Sequence, residues 1–520
     1  MDEELPNIEL DNLIIKDKEY HRKKKKKRLL IFLSILLVII IIIIIIILVL
    51  RRKGGKIICI YRTTKDNENI RLINVNNDID FALYVDDKSF SQNNNHTFEK
   101  AGLHNVSFHF RTKLETLEGF FQNLDNLVEI DFSQLETKNV KSMENVLCYC
   151  QNLTKVNFDN KTPNLINMSR MFHESYYLTD VRLNFNTSKV KNMDLMFYYN
   201  DELISLDLSN FDLESLVNSD FMFGYCTKLK KIIFKKGTVT KNLEKMDNMF
   251  YHCESLEEIN TEIFRANKVK SLNKVFEDCY SLKSIDLSHF DISNVYFIDF
   301  IFNNCTNLKS VNISNMNTSK ISNTDYAFYN CQSLTSIDMS NLDFRNLNSS
   351  EYMFANCINL QNLTLSSQMK FIYHANCMFQ NCYNLISINL HFLGDSSGID
   401  RADFIEMFDN CTNLKKIKIE TEEKSEVGTA IKMFSECISL TSVDLENLKV
   451  DIVKDITKMF YNCISLEYLN INNLNTKKME ANSTDVFKGV PIGVEIKYNP
   501  YITQYNIEEQ IKKLKPNSSL

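Results

Sequence analysis

The sequence predicts an α/β solenoid of about 14 coils, each of about 26 residues, preceded by a transmembrane helix and a small β-unit. Three observations predict it. A Met-Phe-x-x-Cys-x-x-Leu phrase, or a close variant, returns thirteen times between residues 143 and 466. An uninterrupted apolar stretch runs from Leu29 to Leu50. Between them, residues 57–112 lack the phrase and alternate apolar with polar side chains.

Each coil has two limbs with different periods. After the repeated Leu comes x-x-Ile-x-Leu, as in Leu282, Ile285, Leu287 or Leu440, Val443, Leu445, alternating with polar Asp286 and Asp444. That is the period of a strand with one wet face. The return limb repeats its key residues at spacings of three and four, as in Val190, Met193, Met196, Phe197 and Asn200, which predicts a helix or helical turn. Ordering a backbone costs about 1–2 kcal/mol per residue, more than one coil's inward side chains return, so a coil is stable only when stacked. The 29-residue step from Cys382 to Cys411 predicts a small loop near Gly394 to Gly398.

The phrase continues as Met-Phe-x-x-Cys-x-x-Leu-x-x-Ile-x-Leu-Ser-x-Phe, seen best in Met222 to Phe234, Ile301 to Met316 and Met353 to Leu365. It resembles the repeats of the BspA-like leucine-rich-repeat surface proteins over about residues 115–496. The resemblance implies a leucine-rich-repeat solenoid, surface display, and adhesion or recognition of other molecules. It names no ligand, because the shared residues are the inward ones.

The apolar stretch, residues 29–50, is long enough to cross a bilayer as a helix. Arg51, Arg52 and Lys53 follow it in place of a small-residue cleavage pattern, which predicts a signal anchor. The basic run Arg22 to Arg28 predicts a cytosolic N-terminus and, with it, a plasma-membrane protein whose repeats are extracellular. The tail, residues 1–28, is acidic then basic and too short for a domain, though Glu9 to Ile14 matches an acidic dileucine sorting pattern.

In the juxtamembrane unit, residues 57–112, Ile58 and Ile60, then Phe81, Leu83 and Val85, then Val106, Phe108 and Phe110 signal four or five antiparallel strands that cap the solenoid. Its Phe98, Gly102, His104 and Val106 match a phrase that precedes the repeats in some BspA-like proteins. At the far end of the solenoid (residues 115–496), residues 497–520 form a cap in which Asn506 and Glu509 make a capping-box pattern.

Composition narrows the partners. The whole chain has a net charge of −6, and residues 57–520, with 47 basic and 59 acidic side chains, stand near −12. No basic stripe offsets that repulsion, so nucleic acid is not a partner. No metalloprotease helix motif, phosphate-binding glycine loop or nucleophile elbow occurs, so the reading is non-enzymatic, with no metal and no cofactor. Eleven of the 14 cysteines, from Cys150 to Cys463, fall in one slot of the repeat, where they read as small buried hydrophobes. Cys59, Cys148 and Cys377 lie outside it and are the candidates for reactivity.

Recognition is expected on the exposed strand positions, which stack into a column containing Asp131, Asp207, Asp286, Asn312, Asp338, Asn389, Asp444 and Asn470. The same column also suits a solvated face that only keeps the strands soluble. Of the Asn-x-Ser/Thr sequons, Asn95, Asn105, Asn186, Asn317 and Asn482 are the candidate glycosylation sites. The functional expectation is a single-pass surface protein for adhesion or recognition of protein or glycan partners. A structural surface coat, or a receptor or sorting protein acting through its tail, are the alternatives.

Overall fold

The computed structural model describes residues 8–393 except 52, 53, 77, 160 and 371, then 402–421, 425–450, 453–476, 479, 483–499, 502 and 505–515. Helix α1 (Ile8–Arg51) carries the basic run and the apolar stretch on one continuous rod. Within it, Ile15–Ile44 is long and apolar enough to cross a membrane.

The β-unit holds six strands, β1 (Gly55–Thr63), β2 (Glu68–Arg71), β3 (Phe81–Val85), β4 (Lys88–Phe90), β5 (Asn95–Phe98) and β6 (Gly102–Phe110). The β2–β5 pair exceeds the expected four or five because both strands are too polar to alternate. Strand β1 pairs antiparallel with β6 from Gly55↔Phe110 to Thr63↔Gly102. Its other edge pairs antiparallel with β7 (Leu127–Asp131), the first strand of the solenoid. From β7 onward pairing is parallel, through β8 (Lys155–Phe158) and β9 (Asp180–Leu183). The unit therefore covers the open edge that a parallel stack otherwise leaves to water.

In the coils, the repeated Phe, Leu and Met point inward. Twelve consecutive ring pairs, from Phe172–Phe197 to Phe460–Phe487, stack with centroids 5.1–5.8 Å apart. Each Phe in this column is buried. Strands sit one coil apart in matched register, as in Leu206↔Ile232, Ile285↔Val311 and Ile337↔Leu363.

The return limb differs from the expected helical turn. Its backbone alternates between hydrogen bonds inside the coil and to the next: Met196 N donates to Met193 O and Tyr198 N to Leu195 O, whereas Leu195, Phe197 and Tyr199 donate to Asp220, Met222 and Gly224. A helix would spend every N–H within its own segment. Alternation requires left-handed residues at two places per coil, for example Leu195 (φ 54°) and Tyr199 (φ 58°). The three-and-four spacing arises because these tight turns still send the same side chains inward. Among the described residues the helices are α1 and α2 (Tyr505–Leu514), so the solenoid is built of strands and turns.

Helix α2 seals the last coil with buried Ile507, Ile511 and Leu514. It starts a residue before the expected cap, and Asn506 does not close a capping box: its Nδ2 donates to Ser483 O at 2.7 Å, tying helix to coil. The loop expected at Gly394 to Gly398 lies outside the described residues.

Candidate recognition surface

The strand column stands on the wet face as the alternation requires. Asp207, Asp286, Asn312, Asp338, Asn389 and Asp444 are exposed and Asp131 is half-buried. Asn470 departs from this. It is 3 % exposed, with its Nδ2 on Glu446 Oε2 at 3.2 Å and the strand Glu495–Tyr498 paired alongside it. A residue so placed offers nothing to a partner.

These side chains also have structural work that the sequence reading did not assign. Asp131, Asp207, Asp286, Asn312, Asp338 and Asp444 each accept, through Oδ1, the backbone N–H two residues on, at 2.7–3.3 Å. The column therefore ends each strand with an Asx turn. The hydroxyl and amide of Ser209 and of Ser288 hold the carboxyls of Asp207 and Asp286 below the usual range, and the amide and hydroxyl of Ser340 do so for Asp338. These three are fixed anions with one oxygen committed to the turn.

The cysteine slot has a sharper role than packing. In all eleven coils Sγ lies 2.9–3.3 Å from the carbonyl of the residue at the Phe position one coil earlier, from Cys150 on Phe121 to Cys463 on Phe434. Where the sequence departs, Ser175 Oγ meets Leu147 O at 2.9 Å and Asn200 Nδ2 meets Phe172 O at 2.8 Å. The slot thus asks for a compact donor. The signal was the chemistry of the substitutes, Ser and Asn. Leu124, in the first coil, has no earlier carbonyl to reach.

Burial pushes the slot thiols up, to about 12 for Cys226 and Cys357. The three cysteines outside the slot are buried as well, against the expectation of reactivity. Burial raises Cys148 to about 12 and Cys377 to about 11, and places Cys59 well above its ordinary value. Thiols so protonated are poor nucleophiles. Among the described residues no cluster of His, Cys, Asp and Glu is arranged to hold a metal ion.

Asn95, Asn105, Asn186 and Asn317 are exposed, and Asn482 lies outside the described residues. Asn186 Oδ1 and Asn317 Oδ1 accept from Ser188 and Ser319, so each is held in a turn at the surface.

Comparison with known proteins places this architecture. A family model described as BspA type leucine rich repeat region (6 copies) matches residues 191–324 and 270–394. Leucine-rich repeats of the BspA type thus occupy residues 191–394 of the chain. Overlapping that region at both ends, a family described as Mycoplasma protein of unknown function, DUF285, matches residues 115–236 and 376–492 of the same solenoid. No curated protein matches the sequence. Among solved structures, a T. pallidum leucine rich repeat protein is 23 % identical over 33 % of this chain and 72 % of its own, with TM-score 0.25. A leucine-rich repeat protein from Eubacterium ventriosum is 15 % identical over 68 % of this chain and 87 % of its own, with TM-score 0.29. A leucine-rich-repeat solenoid is a fold suited to protein binding, and α1 is compatible with a membrane anchor.

Proposed function

We propose that this protein is anchored in the plasma membrane by α1 with its N-terminus in the cytosol. It displays the solenoid outside the cell to recognise or adhere to a protein or glycan. The observation that carries the reading is the row of carboxylates on the rigid strand face, Asp207, Asp286 and Asp338, each oriented by its own turn and kept ionised. Fixed charge at regular intervals favours a partner with a complementary basic surface and makes association sensitive to salt. The basic run Arg22 to Arg28 beside the apolar stretch supports the orientation.

Replacing Asp286, Asp338 and Asp444 together by Asn keeps an acceptor for each turn while removing three charges. In cells expressing the full chain, attachment to basic protein-coated or glycan-coated surfaces is expected to fall at least about tenfold at low salt. Protease protection and glycan mapping on the same intact cells read the topology. Attachment unchanged by the triple variant, or repeats that are shielded and carry no glycan, removes the reading.

A further inference from the structure

A second column of parallel bridges runs down one flank of the solenoid, away from the strands. Asn218 pairs with Lys245, Ser271 with Phe297, and Phe297 with Asn323. Its members are polar except at one coil, where Phe297 is 44 % exposed and its neighbour Tyr296 is 39 % exposed. The matching pair one coil later is Ser322 and Asn323, and one coil earlier Lys270 and Ser271. Two large rings therefore stand part-exposed, Tyr296 with Lys320 Nζ 5.9 Å from its ring centre, where the repeat itself needs none, since Ser and Asn form the same bridges.

Tyr296 lines a groove of about 810 Å³ that extends back over the preceding coils to Asp220, Lys245, Asp247 and Asn294. That volume lies in the range of small-ligand sites, about 300–1,000 Å³. The polar groups are held in place before any ligand arrives. Asp220 Oδ1 accepts from Asp247 N at 3.0 Å, Asp247 Oδ1 accepts from Asn273 N at 2.9 Å, and Asn294 Nδ2 donates to Asn267 O at 2.7 Å. The lining carries three carboxylates and three ammonium groups, so the groove is electrically balanced on a strongly acidic molecule.

That combination selects a chemistry. A strongly anionic or cationic ligand gains little from a balanced lining. A neutral, polyhydroxylated ring matches it: its C–H face covers an aromatic side chain, and its hydroxyls donate to fixed carboxylates and accept from lysine. We propose that this flank groove binds a neutral carbohydrate, with Tyr296 as the platform and Asp220 and Asp247 as hydroxyl acceptors. The site is separate from the strand face and stands whether or not that face binds a partner.

The full chain in lipid nanodiscs is titrated with three neutral trisaccharides, of N-acetylglucosamine, glucose and mannose, and with an anionic heparin-derived oligosaccharide. Saturation-transfer NMR and calorimetry are the readouts. At least one neutral trisaccharide is expected to bind, and Tyr296→Ser to weaken it at least about tenfold. Ser is the residue of the next coil at that position, so the variant folds, and an unchanged thermal midpoint verifies it. Asp220→Asn is expected to weaken binding in the same direction, while Asp286→Asn on the strand face leaves it unchanged. Absence of binding by all three neutral sugars, binding that Tyr296→Ser does not weaken, or preference for the anionic oligosaccharide overturns the proposal.

Discussion

One backbone position is filled in two different ways along the molecule. It is the second left-handed residue of each return limb, with φ between 55° and 68° at all the coils compared. In the N-terminal half it is often aromatic, at Tyr149, Tyr199, Tyr225 and His252; in the C-terminal half it is Asn304, Asn330, Asn356, Asn381 and Asn410. The rings stack, Tyr199 on Tyr225 at 4.2 Å and Tyr225 on His252 at 4.6 Å, both within 10° of parallel. The amides form a ladder, Asn330 Nδ2 to Asn304 Oδ1 at 2.8 Å, Asn381 to Asn356 at 2.8 Å and Asn410 to Asn381 at 3.0 Å. Asn tolerates the left-handed region because its short side chain bonds locally, while other L-residues bear a cost of about 1–2 kcal/mol there. The rings offset that cost by stacking, about 0.5–1.5 kcal/mol per pair. A solenoid fixes what its backbone must do at each coil and leaves open which side-chain interaction supports it.

If the halves differ only at that surface column, removing the shared inner column must harm both equally. Phe250→Ala in the aromatic half and Phe354→Ala in the amide half each delete a buried ring from the same stack. Each is expected to cost about 3–5 kcal/mol. Chemical denaturation of the full chain should show the two losses agreeing within about 1 kcal/mol. A clearly larger loss in one half means the outer column sets local stability.

The inner column was legible in the sequence because burial demands one residue type at one spacing, so Phe197 through Phe460 announced themselves. The left-handed column was not. It accepts Tyr, His, Glu, Asp, Asn and Gly489, and what those residues share is a φ angle, which leaves no hydropathy pattern. The strand face was half legible. Alternation predicts which side is wet, and it holds for Asp207 through Asp444, but it says nothing of the paired strand and Glu446 contact that bury Asn470. The flank rings at Tyr296 and Phe297 were masked for the same reason as the turns: their column is defined by isolated bridges rather than by a strand, so no period of two exposes it.

The two regimes meet at Asp278, 6 % exposed. Its Oδ2 lies 2.9 Å from His252 Nε2, the last of the stacked rings, and its Oδ1 accepts from Asn304 Nδ2, the first rung of the amides, at 2.8 Å. Asp278→Ala leaves both half-buried partners without their acceptor, at a cost of about 2–3 kcal/mol. Asp278→Asn, which keeps an acceptor for Asn304, is expected to cost about half as much. Hydrogen exchange should show the Ala variant loosening the coils on both sides of residue 278. Loosening on one side alone means the junction carries no coupling between the halves.

The smallest effect is the most discriminating. Tyr225→Asn gives the left-handed position (φ 58°) the residue it prefers, and removes two stacked neighbours, Tyr199 and His252. Relief of about 1–2 kcal/mol opposes loss of about 0.5–1.5 kcal/mol per pair, so the net change is expected to stay within about 1 kcal/mol of zero. A lone amide there has no amide on either side to continue the ladder. Replacing Tyr199 and Tyr225 together supplies one, and should be more stable than the sum of the two single changes. Measured midpoints that add without that bonus mean the C-terminal amides are held by their backbone alone, and the ladder is a consequence of the left-handed turn rather than a support for it.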